Sequence, residues 1–585
     1  MFENFKKKIR IRPRYLVLIL SIVVLLIGTT IAGGIQSNFG NVNVVEVDFQ
    51  TAGDGSWIHS TLQVPTYASG SNPLPGVVVI HGSLQSKEWL MGFGIELARR
   101  GFVVLTIDAN SHGNSEPGTG SGTAALEFIS SLPYVDSSSI GLIGHSMGGG
   151  ISWSAIEDST IMVNSLVLVG AGVRSTANAT YPHNMLVATG QFDELSSYPI
   201  DISSLEISFN ISSIELNTLY GDFSDGTARK IILPKTNHLF VTIDPIVISE
   251  TVEWMKNSLK GGAEDEYWLP KENLFYPFFM IGGLIASIGV FVSIFPLLLI
   301  LINLPFFKDL KNKKKLAEGE YILSTKSYFG LGLIYGGIGF GLYIPLMVIG
   351  LLIGSIIVIP QSYGTSILTY FLGVGLISAG IFYLILHFRP KIRHNIQFKE
   401  KQGESHEVSR VIIKSALLSL LVIFWLYAWT LLLDVVLALD FRCFLPILND
   451  LTPNRALIAP IYLICFIPYF LVEGMWLMGA MRTKIKKKWM YTQLSCSFKA
   501  IFFKCLFYAV LIAIQIGVGY IAGIVVLPGM IGYVFLFFYM FTPMFAIAVI
   551  ITVWSYHISS RYYVGAFLNA FLFSWILASI LSTSI

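Results

Sequence analysis

Two patterns of apolar residues divide the chain. From Tyr15 to Ile35 it runs 21 residues without a charge, enough for a helix to cross a bilayer and longer than the roughly 7 to 15 residues of a cleavable signal core. Eight further apolar stretches follow, at about 276–304, 328–359, 366–388, 411–437, 457–481, 500–526, 530–555 and 562–583. Nine membrane spans are therefore predicted, with the 328–359 stretch long enough to tilt or to kink at Pro345. Residues 36–274 show shorter periods. An antiparallel opening pair is predicted at 43–50 and 56–64, followed by a buried strand at 74–81, a helix at 87–100, a strand at 102–108 and a helix at 123–132. Strand 139–145, helix 147–158, strands 163–170, 185–191 and 229–234, and helix 245–259 complete the pattern. Such alternation predicts a mostly parallel sheet covered by helices on both faces.

The predicted domains are a basic N-terminus (1–14), a membrane anchor helix (15–35), an α/β domain (36–262), a linker (263–275) and an all-α membrane domain of about eight helices (276–585). Composition agrees. With 54% hydrophobic residues, 13% charged residues and a mean hydropathy of +0.66, the chain is too apolar for a soluble protein of 585 residues.

Charge separates the same two regions. Residues 36–274 hold 25 Asp+Glu and 10 Lys+Arg, a net charge of −15, and the remainder holds 11 and 29, a net charge of +18. The N-terminus and the loops 308–326, 389–410 and 482–499 carry 6 Lys+Arg each, whereas the opposite short loops hold only Arg442 and Arg455. By the positive-inside rule this alternation predicts a multi-pass protein of the cell membrane, with the N-terminus cytoplasmic and the α/β domain outside the cytoplasm. No basic patch with interleaved aromatics appears in the polar block, so no nucleic-acid partner is expected. Cys443, Cys465, Cys496 and Cys505 all fall in the apolar region without the paired spacing of a metal site.

The chemistry concentrates in Gly144-His145-Ser146-Met147-Gly148, where a predicted strand meets a predicted helix. Gly144, His145 and Gly148 form a G-x-S-x-G elbow that holds Ser146 out at the carboxyl edge of the sheet. A serine hydroxyl needs a base, and the base needs an orienting group. Asp193 follows strand 185–191 and His238 follows the last strand, so both leave the sheet on the Ser146 edge. Glu194 and Asp222 are rivals for the acid, and His183 and His112 for the base. Inside the membrane region, Lys414 and Lys504 are placed to snorkel to the cytoplasmic surface. Glu473 lies deeper, where a carboxylate normally faces a partner or a cavity.

The block resembles the α/β-hydrolase fold over roughly residues 43–260, with Ser146, Asp193 and His238 in that family's order of nucleophile, acid and histidine. His81-Gly82-Ser83-Leu84 is similar to the family's oxyanion segment but lacks the further glycines of lipases. The resemblance implies that the backbone N–H groups of Ser83 and Met147 bind the oxyanion. It also implies a serine hydrolase that cleaves an ester, thioester or amide through an acyl-enzyme, with no cofactor and no metal. The expected partners are membrane lipids and a small-molecule or lipid-linked substrate. The alternatives are an acyltransferase, or a transporter or membrane sensor whose degenerate hydrolase domain binds ligand. No cap domain is predicted between strands 163–170 and 185–191, so an open pocket is expected.

Overall fold

The computed structural model describes residues 12–195, 205–206, 209–311, 324–388, 405–439, 448–481 and 489–584. The basic run before Arg12, most of the three predicted basic loops, Arg442 and part of the 195–227 segment lie outside the described residues.

Helix α1 (Pro13–Gln36) leads into an eight-stranded sheet: β1 (Val42–Gln50), β2 (Trp57–Pro65), β3 (Leu74–Ile80), β4 (Val103–Ile107), β5 (Val135–His145), β6 (Ser165–Val169), β7 (Met185–Ala188) and β8 (Arg229–Ile232). The strand order is β1-β2-β4-β3-β5-β6-β7-β8. β2 is antiparallel to both its neighbours, and every pair from β4–β3 to β7–β8 is parallel. Buried on both faces, the central strands read as continuous apolar runs: Val77, Val78, Val79 and Ile80 of β3 are all fully buried. Helices α2 (Met91–Ala98), α3 (Ser121–Ser131), α4 (Met147–Asp158) and α5 (Pro245–Leu259) cover the sheet. The helix predicted at 87–100 begins instead as a 3-10 turn at Lys87–Leu90, because the Asp108 carboxylate accepts the Lys87 N–H at 2.8 Å and ties that turn to the end of β4.

Eight further helices are long and apolar enough to cross a membrane: α6 (Tyr276–Leu301), α7 (Thr325–Gly354), α8 (Gly364–Phe388), α9 (Glu407–Leu437), α10 (Pro453–Ala480), α11 (Tyr491–Ala522), α12 (Gly529–Ser559) and α13 (Tyr562–Ile580). With α1, the described residues thus contain nine such helices. α7 breaks at Leu342, between segments Thr325–Gly341 and Tyr343–Gly354. Pro345 has no N–H for the Gly341 carbonyl and its ring crowds that turn.

α1 and α6, which flank the α/β domain, pack against each other. A Cβ on Gly28 would lie 2.3 Å from Ala286 N, and one on Gly282 would lie 2.7 Å from Ala32 N. Gly28→Leu is expected to force the pair apart at a cost of about 1 to 3 kcal/mol, read as a lower unfolding temperature in detergent. The predicted linker is tied down. Arg100 donates to the carbonyls of Leu269, Pro270 and Asn273, while Glu96 Oε1 accepts the N–H groups of Phe275 and Tyr276.

The α/β domain rests on one end of the helical bundle. Its contacts there are with Ala438, Asn449, Asp450, Arg455, the start of α12 and Thr583. These all belong to the helix ends that the charge alternation assigns to one side. Of the two membrane lysines, Lys414 reaches the exposed Asp309 at 2.8 Å, at the start of the basic loop 308–326, as expected of a snorkelling side chain. The expectation for Lys504 is corrected, since it turns inward to the buried Glu473 at 2.9 Å.

Candidate active site

The turn from β5 into α4 is as tight as the glycine spacing requires. A Cβ on Gly144 would lie 2.5 Å from the Gly148 carbonyl oxygen, and one on Gly148 would lie 2.2 Å from that of Ile80. Between them Ser146 takes φ 50° and ψ −115°, a conformation that non-glycine residues rarely adopt and that stores strain. The turn lifts its hydroxyl off the sheet edge and sets it at the amino end of α4.

Asp193 and His238 reach the same spot on loops that leave the parallel strands β7 and β8. His238 Nε2 is 3.0 Å from Ser146 Oγ, and His238 Nδ1 is 2.9 and 2.8 Å from the two Asp193 carboxylate oxygens. Asp193 is 1% exposed and His238 5%, while Ser146 is half-buried. A buried carboxylate on Nδ1 fixes the tautomer that leaves Nε2 free to accept the serine proton.

The rivals fall elsewhere. The Glu194 carboxylate accepts the His238 backbone N–H at 3.1 Å, not the ring. Burial pushes its carboxyl above the ordinary value, and the hydrogen bond from His238 opposes that rise. Asp222 and His183 line a cavity of about 540 Å³ at the amino ends of β6 to β8, on the other edge of the sheet. His112 contacts the Asn110 carbonyl and stacks edge-on with His81. Burial, then repulsion from His81, lowers it to about 4. His145 lies between Gln85 Oε1 at 2.8 Å and the His238 carbonyl at 3.1 Å. Burial and then the neighbouring His238 bring it down to about 3, and its ring packs 4.9 Å from that of His238.

Ser83 follows β3 in a turn, and Met147 is the first residue of α4, where helix N–H groups have no partner within the helix. Leu84 takes φ 59° beside Ser83, a second strained non-glycine residue at this edge. Among the described residues, no group of three or more His, Cys, Asp or Glu side chains is placed to hold a metal ion.

The pocket is not left open as expected. The sheet edge that carries these residues faces the membrane helices, and Leu84, Trp89, Leu239 and Phe240 pack against their apolar core. Tyr533 of α12 lies beside the Ser83 side chain, and Gly529 N donates to the Glu194 carbonyl at 2.8 Å. Asn237 Nδ2 donates both to Glu194 Oε1 at 3.2 Å and to Tyr539 Oη at 3.0 Å. Tyr533 and Tyr539 escape sequence reasoning because about 300 residues separate them from His238 and no motif marks them. Tyr539→Phe removes one buried hydrogen bond from the loop carrying His238, worth about 1 kcal/mol, and is expected to lower kcat about fivefold with KM unchanged. Steady-state kinetics would test this, and a change confined to KM would contradict it.

A family profile described as "PETase: PET hydrolase-like" matches residues 35–193. No curated protein sequence matches the chain. Among solved structures, an esterase from Pyrococcus furiosus is similar at 12% identity and TM-score 0.29, over 38% of this chain and 96% of its own. A protein from Thermoplasma acidophilum described as a "predicted CIB-like hydrolase" is similar at 15% identity and TM-score 0.27, over 37% and 100%. A thioesterase domain from the curacin biosynthetic pathway is similar at 13% identity and TM-score 0.26, over 36% and 99%.

Proposed function

Starting from an α/β-hydrolase domain fused to a polytopic membrane domain, we propose that this chain is a membrane-bound, extracytoplasmic serine hydrolase with Ser146 as nucleophile, His238 as general base and acid, and Asp193 as the orienting carboxylate. One observation carries the reading: a single imidazole bridges a buried carboxylate and a serine hydroxyl held in a strained turn.

In this scheme His238 Nε2 takes the Ser146 proton as Oγ attacks the acyl carbon. The resulting oxyanion is held by the Ser83 and Met147 N–H groups, each worth about 2.7 to 4 kcal/mol to the transition state. His238 then returns the proton to the leaving alcohol, thiol or amine, and a water activated by the same imidazole releases the acid. The charge alternation supports a site outside the cytoplasm. Its seat on the helix ends brings it to the membrane surface, which favours acyl esters of lipid-like substrates.

Acyl esters of graded chain length, offered to the purified full-length protein with and without an alcohol acceptor, test the proposal. Free acid as the product, with a preference for long chains, is expected. A folded protein that turns over none of the esters would contradict it.

A further inference from the structure

The hydrolase reading leaves unused an ion pair buried inside the membrane domain. Lys504 Nζ of α11 lies 2.9 Å from Glu473 Oε1 of α10, and the Tyr335 hydroxyl of α7 donates to the same oxygen at 2.5 Å. Lys504 also donates to the Tyr469 hydroxyl, and its ammonium lies over the rings of Tyr335, Tyr469 and Phe545 at 5.0, 4.9 and 4.7 Å. Glu473 is 3% exposed, yet its Oε2 has no hydrogen-bond partner among the described residues. Charges at this depth are expensive, and those that are retained mark pathways and relays.

The pair belongs to a longer polar stripe. Gln493, Ser497, Lys504, Tyr508 and Gln515 of α11 are all buried. At 3.6 residues per turn they fall within about 60° of arc, and at 1.5 Å per residue they span about 33 Å. That length matches the roughly 30 Å hydrocarbon layer. Both polar side-chain atoms of Gln493, Ser497 Oγ, Gln515 Nε2 and Thr542 Oγ1 also lack partners among the described residues. Buried polar atoms in this state call for water. Past the ion pair, the Tyr508 and Tyr370 hydroxyls are 2.8 Å apart. At the far end Gln515 Oε1 accepts the Leu527 N–H at 3.1 Å, two residues before the Gly529 N–H that reaches Glu194.

We propose that this stripe is a hydrated proton path through the membrane domain, with the Glu473–Lys504 pair as its relay. A proton moves along hydroxyls, a carboxyl and water by exchanging hydrogen bonds. A metal ion would need a full shell of oxygens at a point already held by the Lys504 ammonium. In the step itself, a proton arriving from the Gln493–Ser497 end binds Glu473 Oε2, neutralises the carboxylate and loosens the ion pair. Lys504 keeps its Tyr469 and ring contacts. Release toward Tyr370, Tyr508 and Gln515 restores the pair, so one proton enters, one leaves and no group is consumed. The membrane domain thereby gains a task that an anchor alone would not require, and one that does not depend on the hydrolase reading.

The test uses full-length protein reconstituted in liposomes loaded with a pH-sensitive dye, with a membrane potential imposed by a potassium gradient and valinomycin. The internal pH should change at least tenfold faster than in protein-free vesicles. Glu473→Gln should return the rate to the protein-free level, and Tyr335→Phe should slow it several-fold. Monodisperse elution in size-exclusion chromatography reports folding of each variant. If Glu473→Gln fails to fold, Tyr335→Phe decides alone, and a wild-type rate in that variant overturns the proposal. It is equally overturned if the wild type stays at the protein-free rate, if folded Glu473→Gln keeps the wild-type rate, or if a sodium-sensitive dye reports entry while the pH stays constant.

Discussion

Ser146→Ala is expected to lower kcat for ester hydrolysis by about 10⁴- to 10⁶-fold while leaving the unfolding temperature close to that of the wild type. Alanine keeps the β-carbon of the elbow and removes only Oγ, which faces His238 Nε2 at 3.0 Å. The protein would lose the atom proposed to form the acyl-enzyme but keep the buried His238–Asp193 pair. Residual activity should come from the oxyanion donors and substrate binding alone. The effect should not add to that of His238→Ala, because the two groups act in one proton transfer. The double variant is expected to match the worse single one. Kinetics on all three proteins check this, and additive losses would mean that Ser146 and His238 act separately.

Asp193→Asn should cost about 10⁴-fold in kcat at neutral pH. The introduced carboxamide would present an N–H₂ group or a neutral carbonyl to His238 Nδ1 where the wild type presents two carboxylate oxygens, at 2.9 and 2.8 Å. The favoured tautomer then places the proton on Nε2, which can no longer accept one from Ser146. Neighbouring Glu194 cannot substitute, since its carboxylate is committed to the His238 backbone N–H and to Asn237. Glu194→Gln is the informative contrast. It keeps an acceptor for the His238 N–H and should cost far less than Asp193→Asn, whereas the reverse order would assign the orienting role to Glu194.

The α/β domain was legible in the sequence because its physics is local. Buried parallel strands must be continuous apolar runs, and a serine elbow must have glycines where a β-carbon would strike backbone, as Gly144 and Gly148 show. Chain order then selected Asp193 over Asp222 and His238 over His183, since only the former follow the carboxyl ends of their strands. The membrane spans were legible for the same reason, down to the break near Pro345. Contacts between the two regions were not. Tyr533 and Tyr539 read as two aromatic residues in a long apolar helix, and nothing in their spacing marks one for Ser83 and the other for Asn237. The Lys504 contact is hidden for the same reason. Its place near the predicted cytoplasmic start of its span suggests snorkelling, but the carboxylate that holds it lies on the preceding helix, and only the packing of the two helices brings them together. Seating the site-bearing edge on the membrane helices follows from how two folded units meet, which neither periodicity nor charge reveals.

Reaction of the full-length protein with a fluorophosphonate, followed by peptide mass spectrometry, tests the triad most directly. One adduct is expected, on the Ser146 side chain, formed rapidly in the wild type and abolished by His238→Ala with the fold intact. A folded wild-type protein that stays unmodified at Ser146, or reacts equally well without the imidazole, would contradict it.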